Sequence, residues 1–263
     1  MKIIFISLGC DKNLVDTEMM LGMLSGKGYT FTDDEEEADI AVVNTCCFIN
    51  DAKQESIDSL IVLGEKKKNG RLKGIIATGC LAQRYAKEIR QEIPEVDAIV
   101  GTNAFDQIAD AIERTAGKER PDFLRDIHET PVFGKKRVLT TGGHYAYLKI
   151  AEGCDKHCTY CIIPKVRGNY RSVPMEILVK EAQDLVEEGV RELILVAQET
   201  TIYGVDLYGE KKLPELLKKL CAIAGLYWIR ILYCYPEEIT GELIDTIKKE
   251  KKICHYLDIP VQH

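Results

Sequence analysis

Three short apolar runs in the first hundred residues each end on a small residue followed by a cysteine. Lys2 to Ser7 leads into Leu8-Gly9-Cys10, Ile40 to Val43 into Asn44-Thr45-Cys46, and Gly74 to Thr78 into Gly79-Cys80. Apolar, β-branched-rich runs without polar alternation are the mark of strands buried on both faces, as in a parallel sheet. Between them lie stretches with helical spacing. One covers Leu14 to Leu24 and is stopped by Gly26 and Gly28; the next covers about Asp51 to Lys68, with lysines at the end where the helix dipole favours cations. A further helix, a short strand over Ala98 to Val100 and a helix over Ala104 to Thr115 keep the rhythm. Strand and helix alternating at this length predict βαβ units in a doubly wound parallel sheet. The carboxyl ends of the strands form the ligand-binding edge of such a sheet. Cys10, Cys46 and Cys80 therefore belong on one edge, as a set of metal ligands or as three separate buried thiols; position alone leaves both open. Cys47, next to Cys46, is expected to point away and pack. The acidic run Asp33 to Glu37 reads as a solvated loop.

Residues from about Gly117 to Gly143 mix prolines, glycines and charges and read as an interdomain connection. The expected organisation is an N-terminal α/β domain over 1–118, a connection over 119–142 and a second domain over 143–263. The second domain opens with a strand over Tyr145 to Ala151. Then follow a helix from Pro174 to Glu188, a strand over Glu192 to Ala197 and a helix over Leu213 to Ala224. A strand over Trp228 to Tyr233, a helix over Glu237 to Lys249 and a strand over His255 to Ile259 complete the pattern. Four β/α units predict a partial (β/α) barrel, truncated at the C-terminus. A parallel sheet that stops there has an open edge, so the chain is expected to be a fragment of a longer protein.

Directly after the first barrel strand stand Cys154, Cys158 and Cys161, spaced C-x3-C-x2-C. Thiolate is a soft ligand suited to iron–sulfur clusters, zinc or cuprous copper, and a closed structural site takes four protein ligands. Three within eight residues, with no further cysteine before Cys221, leave one position open. Packing or disulfide cysteines are the plain alternative, and a zinc knuckle through His157 is disfavoured by the tightness of the turn. Gln198-Glu199-Thr200, after the second barrel strand, is expected to face the same mouth. A chain of 263 residues with 46% hydrophobic content can bury a real core. Its net charge of -7 advertises no nucleic-acid surface and suits a basic protein partner better. There is no apolar run of membrane-spanning length and no signal-peptide pattern after Met1-Lys2, so the expected location is the cytoplasm, away from membranes. Ten cysteines in such a compartment stay reduced and suit metal better than disulfides.

The spacing Cys154-x3-Cys158-x2-Cys161, with Tyr160 before the last cysteine, resembles the radical S-adenosylmethionine superfamily. Leu8 to Asn13, Asn44-Thr45-Cys46, Thr78 to Arg84, Tyr145 to Ile150, Arg167-Gly168 and Asp258 to His263 together resemble its methylthiotransferase family, over the whole chain. The resemblance implies two 4Fe-4S clusters. One sits on Cys154, Cys158 and Cys161 and binds S-adenosylmethionine at its open iron; the other sits on Cys10, Cys46 and Cys80. It further implies that a 5′-deoxyadenosyl radical takes a substrate hydrogen, that sulfur from the second cluster is inserted, and that a second S-adenosylmethionine provides the methyl group. Cys10 to Glu18 and Ala197 to Gly204 are similar to the branch acting on the β-carbon of an aspartate in the twelfth small-subunit ribosomal protein. Asp11 and Glu199 depart from that branch, which commonly has proline and aspartate there. The alternatives are the branch that modifies isopentenyladenosine in transfer RNA and, more remotely, a two-cluster electron carrier, which would need four-ligand sites. The implied partners are the ribosomal protein, free or in its subunit, a reduced electron donor and a sulfur donor, with the enzyme a monomer. Tyr160, Gln198 and Glu199 are expected to contact S-adenosylmethionine. Arg230 either binds its carboxylate or forms a structural ion pair at a strand end. The family's remaining barrel strands and its TRAM domain are not in this sequence.

Overall fold

The computed structural model describes residues 1–260; Val261-Gln262-His263, the end of the last family motif, lie outside the described residues. The chain divides into two compact units, Met1–Val138 with Tyr160–Arg167, and Leu139–Thr159 with Gly168–His263.

In the first unit, six strands among the described residues pair in parallel throughout: β1 (Lys2–Ser7), β2 (Thr30–Phe31), β3 (Ile40–Thr45), β4 (Gly74–Thr78), β5 (Ala98–Val100) and β6 (Asp122–Phe123). Their order is β2-β1-β3-β4-β5-β6. The helices are α1 (Asp11–Gly26), α2 (Asn50–Lys68), α3 (Gly79–Arg84), α4 (Ala86–Glu92) and α5 (Ile108–Ala116), the last preceded by a 3-10 turn at Phe105–Gln107. Successive strand residues face opposite ways. Ile4, Ala41, Val43, Ile75 and Ala77 are buried with Leu60 and Leu63 of α2 and Leu81 of α3. Ile3, Ile40, Val42 and Ile76, equally buried, face the side that α1 and α5 cover. β3 and β4 are buried at every position, which is why they show as unbroken apolar runs. The segment Tyr160–Arg167 carries α6 (Ile163–Val166), and Val166 joins the core beside α2 and α3.

The stretch 119–138, which its composition marks as part of a connection, packs as part of the first unit. β6 extends the sheet beside β5, and Arg125 makes a two-pronged ion pair with Asp106 at 2.8 and 3.0 Å. Farther on, the main chain runs against α1 so closely that a Cβ on Gly22 would stand 2.0 Å from the Lys136 carbonyl oxygen. The Val138 N–H donates to the Glu18 carbonyl at 3.0 Å, and Arg137 pairs with the Glu18 carboxylate at 2.5 Å, both side chains buried. Composition reports the local freedom of such a segment and carries no sign of partners more than a hundred residues away. With this strap on its outer side, α1 buries Lys12, Asn13, Asp16, Thr17 and Glu18.

In the second unit, β7 (Tyr145–Lys149), β10 (Glu192–Val196), β11 (Trp228–Ile231) and β12 (Ile253–Leu257) form a parallel sheet in the order β12-β11-β10-β7. β8 (Ala151–Glu152) and β9 (Arg171–Ser172) pair antiparallel. The run expected as one strand from Tyr145 to Ala151 therefore breaks at Ile150, because Ala151 is taken by β9. The helices are α7 (Met175–Glu187), α8 (Val205–Tyr208), α9 (Leu213–Cys221) and α10 (Gly241–Lys249), with a 3-10 turn at Pro236–Glu238. Ala146, Leu148, Leu193, Leu195, Ile229 and Ile231 are fully buried, while the alternating Tyr145, Tyr147, Glu192, Ile194 and Arg230 are half-buried. One face is thus buried and the other half-buried, as the alternation of a partial barrel requires. No helix among the described residues is long and apolar enough to cross a membrane.

Candidate functional site

The strand order of the first sheet reverses direction between β1 and β3, and ligands of doubly wound folds bind at that switch point, beyond the strand carboxyl ends. Cys10 immediately precedes α1 after β1, Cys46 directly follows β3, and Cys80 is the second residue of α3 after β4. All three are free thiols, Cys10 exposed and the other two buried. Two glycines floor this edge. Gly9 has φ +90, and a Cβ there would stand 2.6 and 2.8 Å from Cβ and Sγ of Cys46. Gly79 has φ +89, with the Asn44 Oδ1 and the Thr45 carbonyl oxygen at 2.3 and 2.5 Å from its would-be Cβ. Burial pushes the Cys46 thiol up, and pushes Cys80 up to about 12. Proximity to Cys10 adds to both shifts and the Arg167 guanidinium opposes both, so the set shares one electrostatic environment. Cys47, as expected, packs in the core beside α2 and α3, and burial takes its thiol up to about 11.

A hydrogen-bonded network surrounds the Cys80 sulfur. Arg167 Nε donates to it at 3.3 Å, Nη1 donates to Asp16 Oδ2 at 2.8 Å, and Nη2 donates to Asn13 Oδ1. The Asn13 amide nitrogen donates to the Leu8 and Thr45 carbonyls at 2.9 and 3.1 Å. Asn44 Nδ2 donates to the Asn13 carbonyl at 2.8 Å and to the Thr17 hydroxyl at 3.0 Å. The sequence brought Asn13, Asp16 and Arg167 forward only as members of family motifs. Arg167 lies 87 residues from Cys80, and no spacing rule joins the two.

Among the described residues no three His, Cys, Asp or Glu side chains converge as they would on a single metal ion. A cluster spreads its ligands over several irons and needs them farther apart. Three soft thiols with no carboxylate or imidazole among them, on a floor that a Cβ would fill, fit a 4Fe-4S cluster with one iron left open. The glycine floor gives a test. Gly79→Ala adds backbone strain of about 1–3 kcal/mol and a clash with a neighbouring main chain. It is expected to remove roughly half of the iron taken up on reconstitution, roughly four of eight atoms per chain. Gly26→Ala, where nothing lies within 4 Å, serves as control and should change iron content not at all.

The second thiol set lies on the loop after β8. Cys154, Cys158 and Cys161 are half-buried free thiols, and Cys161 belongs to the segment Tyr160–Arg167. The loop before and around Cys154 is pinned. Gly153 has φ +78, and a Cβ there would be 2.0 Å from the Asn169 carbonyl oxygen. The Cys154 N–H donates to the Gly168 carbonyl at 3.1 Å, and Asp155 accepts from the Tyr170 N–H at 3.0 Å. The Lys156 N–H donates to the Cys154 sulfur at 3.5 Å, while its side chain pairs with Glu238 and lies over the Tyr235 ring at 4.2 Å. Three thiols on eight consecutive residues, one already accepting an amide hydrogen, are a donor set that also fits a 4Fe-4S cluster.

The other expected contacts divide. Gln198 Nε2 donates to Glu152 Oε1 at 3.0 Å, Glu152 Oε2 accepts from Lys149 at 2.8 Å, and the buried Gln198 Oε1 has no hydrogen-bond partner. An acceptor left without a donor suits the amino group of S-adenosylmethionine. Tyr160 is 67% exposed. Glu199, in contrast, is buried and already engaged: it accepts from the Thr201 N–H at 2.9 Å, from the Thr201 hydroxyl and from the Tyr235 N–H at 3.4 Å. Arg230 Nε donates to Glu192 at 2.8 Å, with its guanidinium over the Tyr256 ring. Glu192 is the first residue of β10, so Arg230 reaches toward the amino ends of the strands, away from the end that carries the cysteine loop. The ion pair is the arrangement that the structure gives Arg230.

Burial raises the Glu199 carboxyl above the usual range, against the bonds from Thr201 and Tyr235. A carboxyl whose folded-state value is raised stabilises the fold at low pH, and that contribution is lost as pH rises through the folded value. Glu199→Gln keeps the acceptor oxygen and drops the buried charge. It is expected to raise the melting temperature at pH 8 and to change it less at pH 4, read by circular dichroism. A groove of about 700 Å³ on the first unit, lined by Ile6, Glu35, Asp51, Glu55, Asp58 and Val62 among others, contains none of these cysteines.

Residues 2–101 match the family model described as uncharacterized protein family UPF0004, and residues 148–263 match that of the radical SAM superfamily. The chain is 65% identical over its full length to the ribosomal protein uS12 methylthiotransferase RimO of Lachnoclostridium phytofermentans, and covers 60% of it. It is 53% identical over its full length to the protein of that description in Clostridioides difficile, covering 59% of it. The chain thus spans about 60% of the length of the curated relatives it matches. In fold it is similar to the radical S-adenosylmethionine methyltransferase TsrM from Kitasatospora setae, at TM-score 0.65 and 11% identity, over 100% of this chain and 59% of that one. OxsB, a cobalamin-dependent S-adenosylmethionine radical enzyme, is similar at TM-score 0.52 and 13% identity, over 94% of this chain and 41% of that one. Matched in order by both family models, the chain is similar over its whole length to methylthiotransferases and carries a region that matches the radical SAM superfamily.

Proposed function

We propose that this chain is the cluster-bearing part of a cytoplasmic enzyme that methylthiolates the β-carbon of an aspartate side chain in the small-subunit ribosomal protein uS12. The observation that carries the reading is the Cys10/Cys46/Cys80 set at the switch point of the first sheet, additional to the Cys154/Cys158/Cys161 loop. Cleavage of S-adenosylmethionine needs only the second set, so the first is available for sulfur insertion. The identity of 65% with a uS12 methylthiotransferase supports this substrate, and the net charge of -7 suits a basic ribosomal protein.

When bound, the two 4Fe-4S clusters and S-adenosylmethionine supply the radical, the inserted sulfur and the methyl group. The chain's own residues position them. Cys10, Cys46 and Cys80 would hold one cluster and Cys154, Cys158 and Cys161 the other, three thiols to each. Lys156 and Asp155 fix the loop around Cys154, so that its sulfur keeps one geometry. Gln198 Oε1 would accept from the amino group of S-adenosylmethionine, its own orientation set by Glu152 and Lys149. An electron donor and a sulfur donor are the further partners, and the working form is a monomer.

The test incubates the reconstituted full-length protein with uS12 or with transfer RNA and weighs both products. A methylthio mass gain on uS12 supports the reading. A gain on the transfer RNA alone overturns the substrate assignment.

A further inference from the structure

Arg167 is fully buried, and its guanidinium has a defined place in the first unit. Asp16 and Asn13 hold the two terminal nitrogens, and the remaining Nε–H points at the Cys80 sulfur at 3.3 Å. The main chain is fixed as well: the Thr102 hydroxyl donates to the carbonyl of Val166 at 3.2 Å, and Val166 is itself a core residue. Asn13 is locked by its own bonds to Leu8 and Thr45, the residues that lead into Cys10 and Cys46. A buried guanidinium that needed only a counter-ion would be satisfied by Asp16. Here a further N–H, that of Nε, is directed at the Cys80 sulfur.

Hydrogen bonds to ligand sulfurs, with local charge and solvent exposure, set the reduction potentials of iron–sulfur clusters. A donor aimed at the thiolate stabilises the added electron and raises the potential. We propose that Arg167 is a positioning residue for the first-unit cluster, whose Nε–H, fixed by Asp16 and Asn13, donates to the Cys80 sulfur and raises the cluster's reduction potential. This rests on the reading that Cys10, Cys46 and Cys80 hold a 4Fe-4S cluster. Asp16 balances the guanidinium charge, so the directed bond is the larger part of the effect, and the two residues act in opposite directions. Without Arg167 the thiolate loses its donor and the potential falls; without the Asp16 charge the guanidinium is unbalanced and the potential rises.

The experiment uses the full-length protein with Cys154→Ala, Cys158→Ala and Cys161→Ala, so that only the first-unit cluster is read. Iron content and the visible spectrum of this parent come first, and a parent without iron would sink both the cluster reading and the present one. In a parent with iron, a redox titration followed by electron paramagnetic resonance compares the variants. Arg167→Lys keeps the charge but cannot fork to three acceptors. It is expected to shift the reduction equilibrium at least tenfold toward the oxidised cluster, about 59 mV for one electron. Asp16→Asn is expected to shift it the other way. A double variant, Arg167→Gln with Asp16→Asn, removes the pair together, leaves no buried orphan charge, and is expected to lower the potential like Arg167→Lys. A purely structural role would change iron content and melting temperature without moving the potential in opposite directions. Iron-replete variants whose potentials stay within about twofold of the parent equilibrium would overturn the assignment. So would loss of the fold in all three.

Discussion

In the full-length protein, replacing Cys10, Cys46 and Cys80 with alanine is expected to leave roughly four irons and four sulfides per chain, against roughly eight expected in the parent. The variant should still convert S-adenosylmethionine to 5′-deoxyadenosine, because the loop from Gly153 to Cys161 is untouched and its anchors, Lys156 on Glu238 and Asp155 on Tyr170, lie in the second unit. Methylthiolated uS12 should fall below detection. The reciprocal variant at Cys154, Cys158 and Cys161 should also retain roughly four irons yet form no 5′-deoxyadenosine. Cys47→Ala is the internal control: its side chain packs in the core beside α2 and α3, and iron should remain at the parent value. Iron and product assays on the same preparations read all of this. Stoichiometric zinc without sulfide in the parent, or unchanged iron in either triple variant, would refute the two-cluster arrangement.

Glu18→Ala should produce a large loss of stability in the first unit. Both partners of the Arg137–Glu18 pair are almost fully buried, at 2% and 1% side-chain exposure. Removing one partner of such a pair typically costs about 3–5 kcal/mol, because it leaves a charge in the interior without its counter-charge. For a chain of this size that corresponds to a fall in melting temperature on the order of 10 °C. Replacing both residues with methionine should recover most of the loss, since a buried ion pair exchanged whole for apolar side chains is often neutral. Thermal unfolding followed by circular dichroism checks both. A small single effect that adds simply to that of Arg137→Met would mean that the strap over α1 is not held by this pair.

The parallel sheets were legible because their strands are buried on both faces. Ile40 to Val43 and Gly74 to Thr78 have no solvent side, so burial appears in the sequence as an unbroken run. The placing of Cys10, Cys46 and Cys80 at strand ends followed from the same fact. What escaped was set by long-range polar partners. The segment 119–138 has the composition of a linker, yet Arg125, Lys136 and Arg137 are fixed by Asp106, Gly22 and Glu18. Arg167 was legible as a motif residue, but its role depends on Asp16 and Cys80, which only the fold brings to it. Glu199 and Arg230 show the converse. Glu199 stands where the chain pattern suggests ligand contact and accepts from Thr201; for Arg230 the pattern left a ligand contact and a structural ion pair both open, and the bond it makes is to Glu192. Periodicity predicts on which face a residue lies; it says nothing of which charge it finds there.

The segment from Tyr160 to Arg167 has a consequence for how such an enzyme can be divided or recombined. It begins beside the last cysteine of one thiol set and ends on the arginine that touches the other, while packing wholly with the first unit. A cut placed in the connection, so as to express residues 139–263 alone, would carry Val166 and Arg167 away from their core and from Asp16. The first unit, expressed alone to Val138, would in turn have nothing to fill the place of α6. The two halves are therefore not interchangeable cassettes. Any exchange of parts between relatives has to move the loop after Thr159 together with the sheet on which it rests.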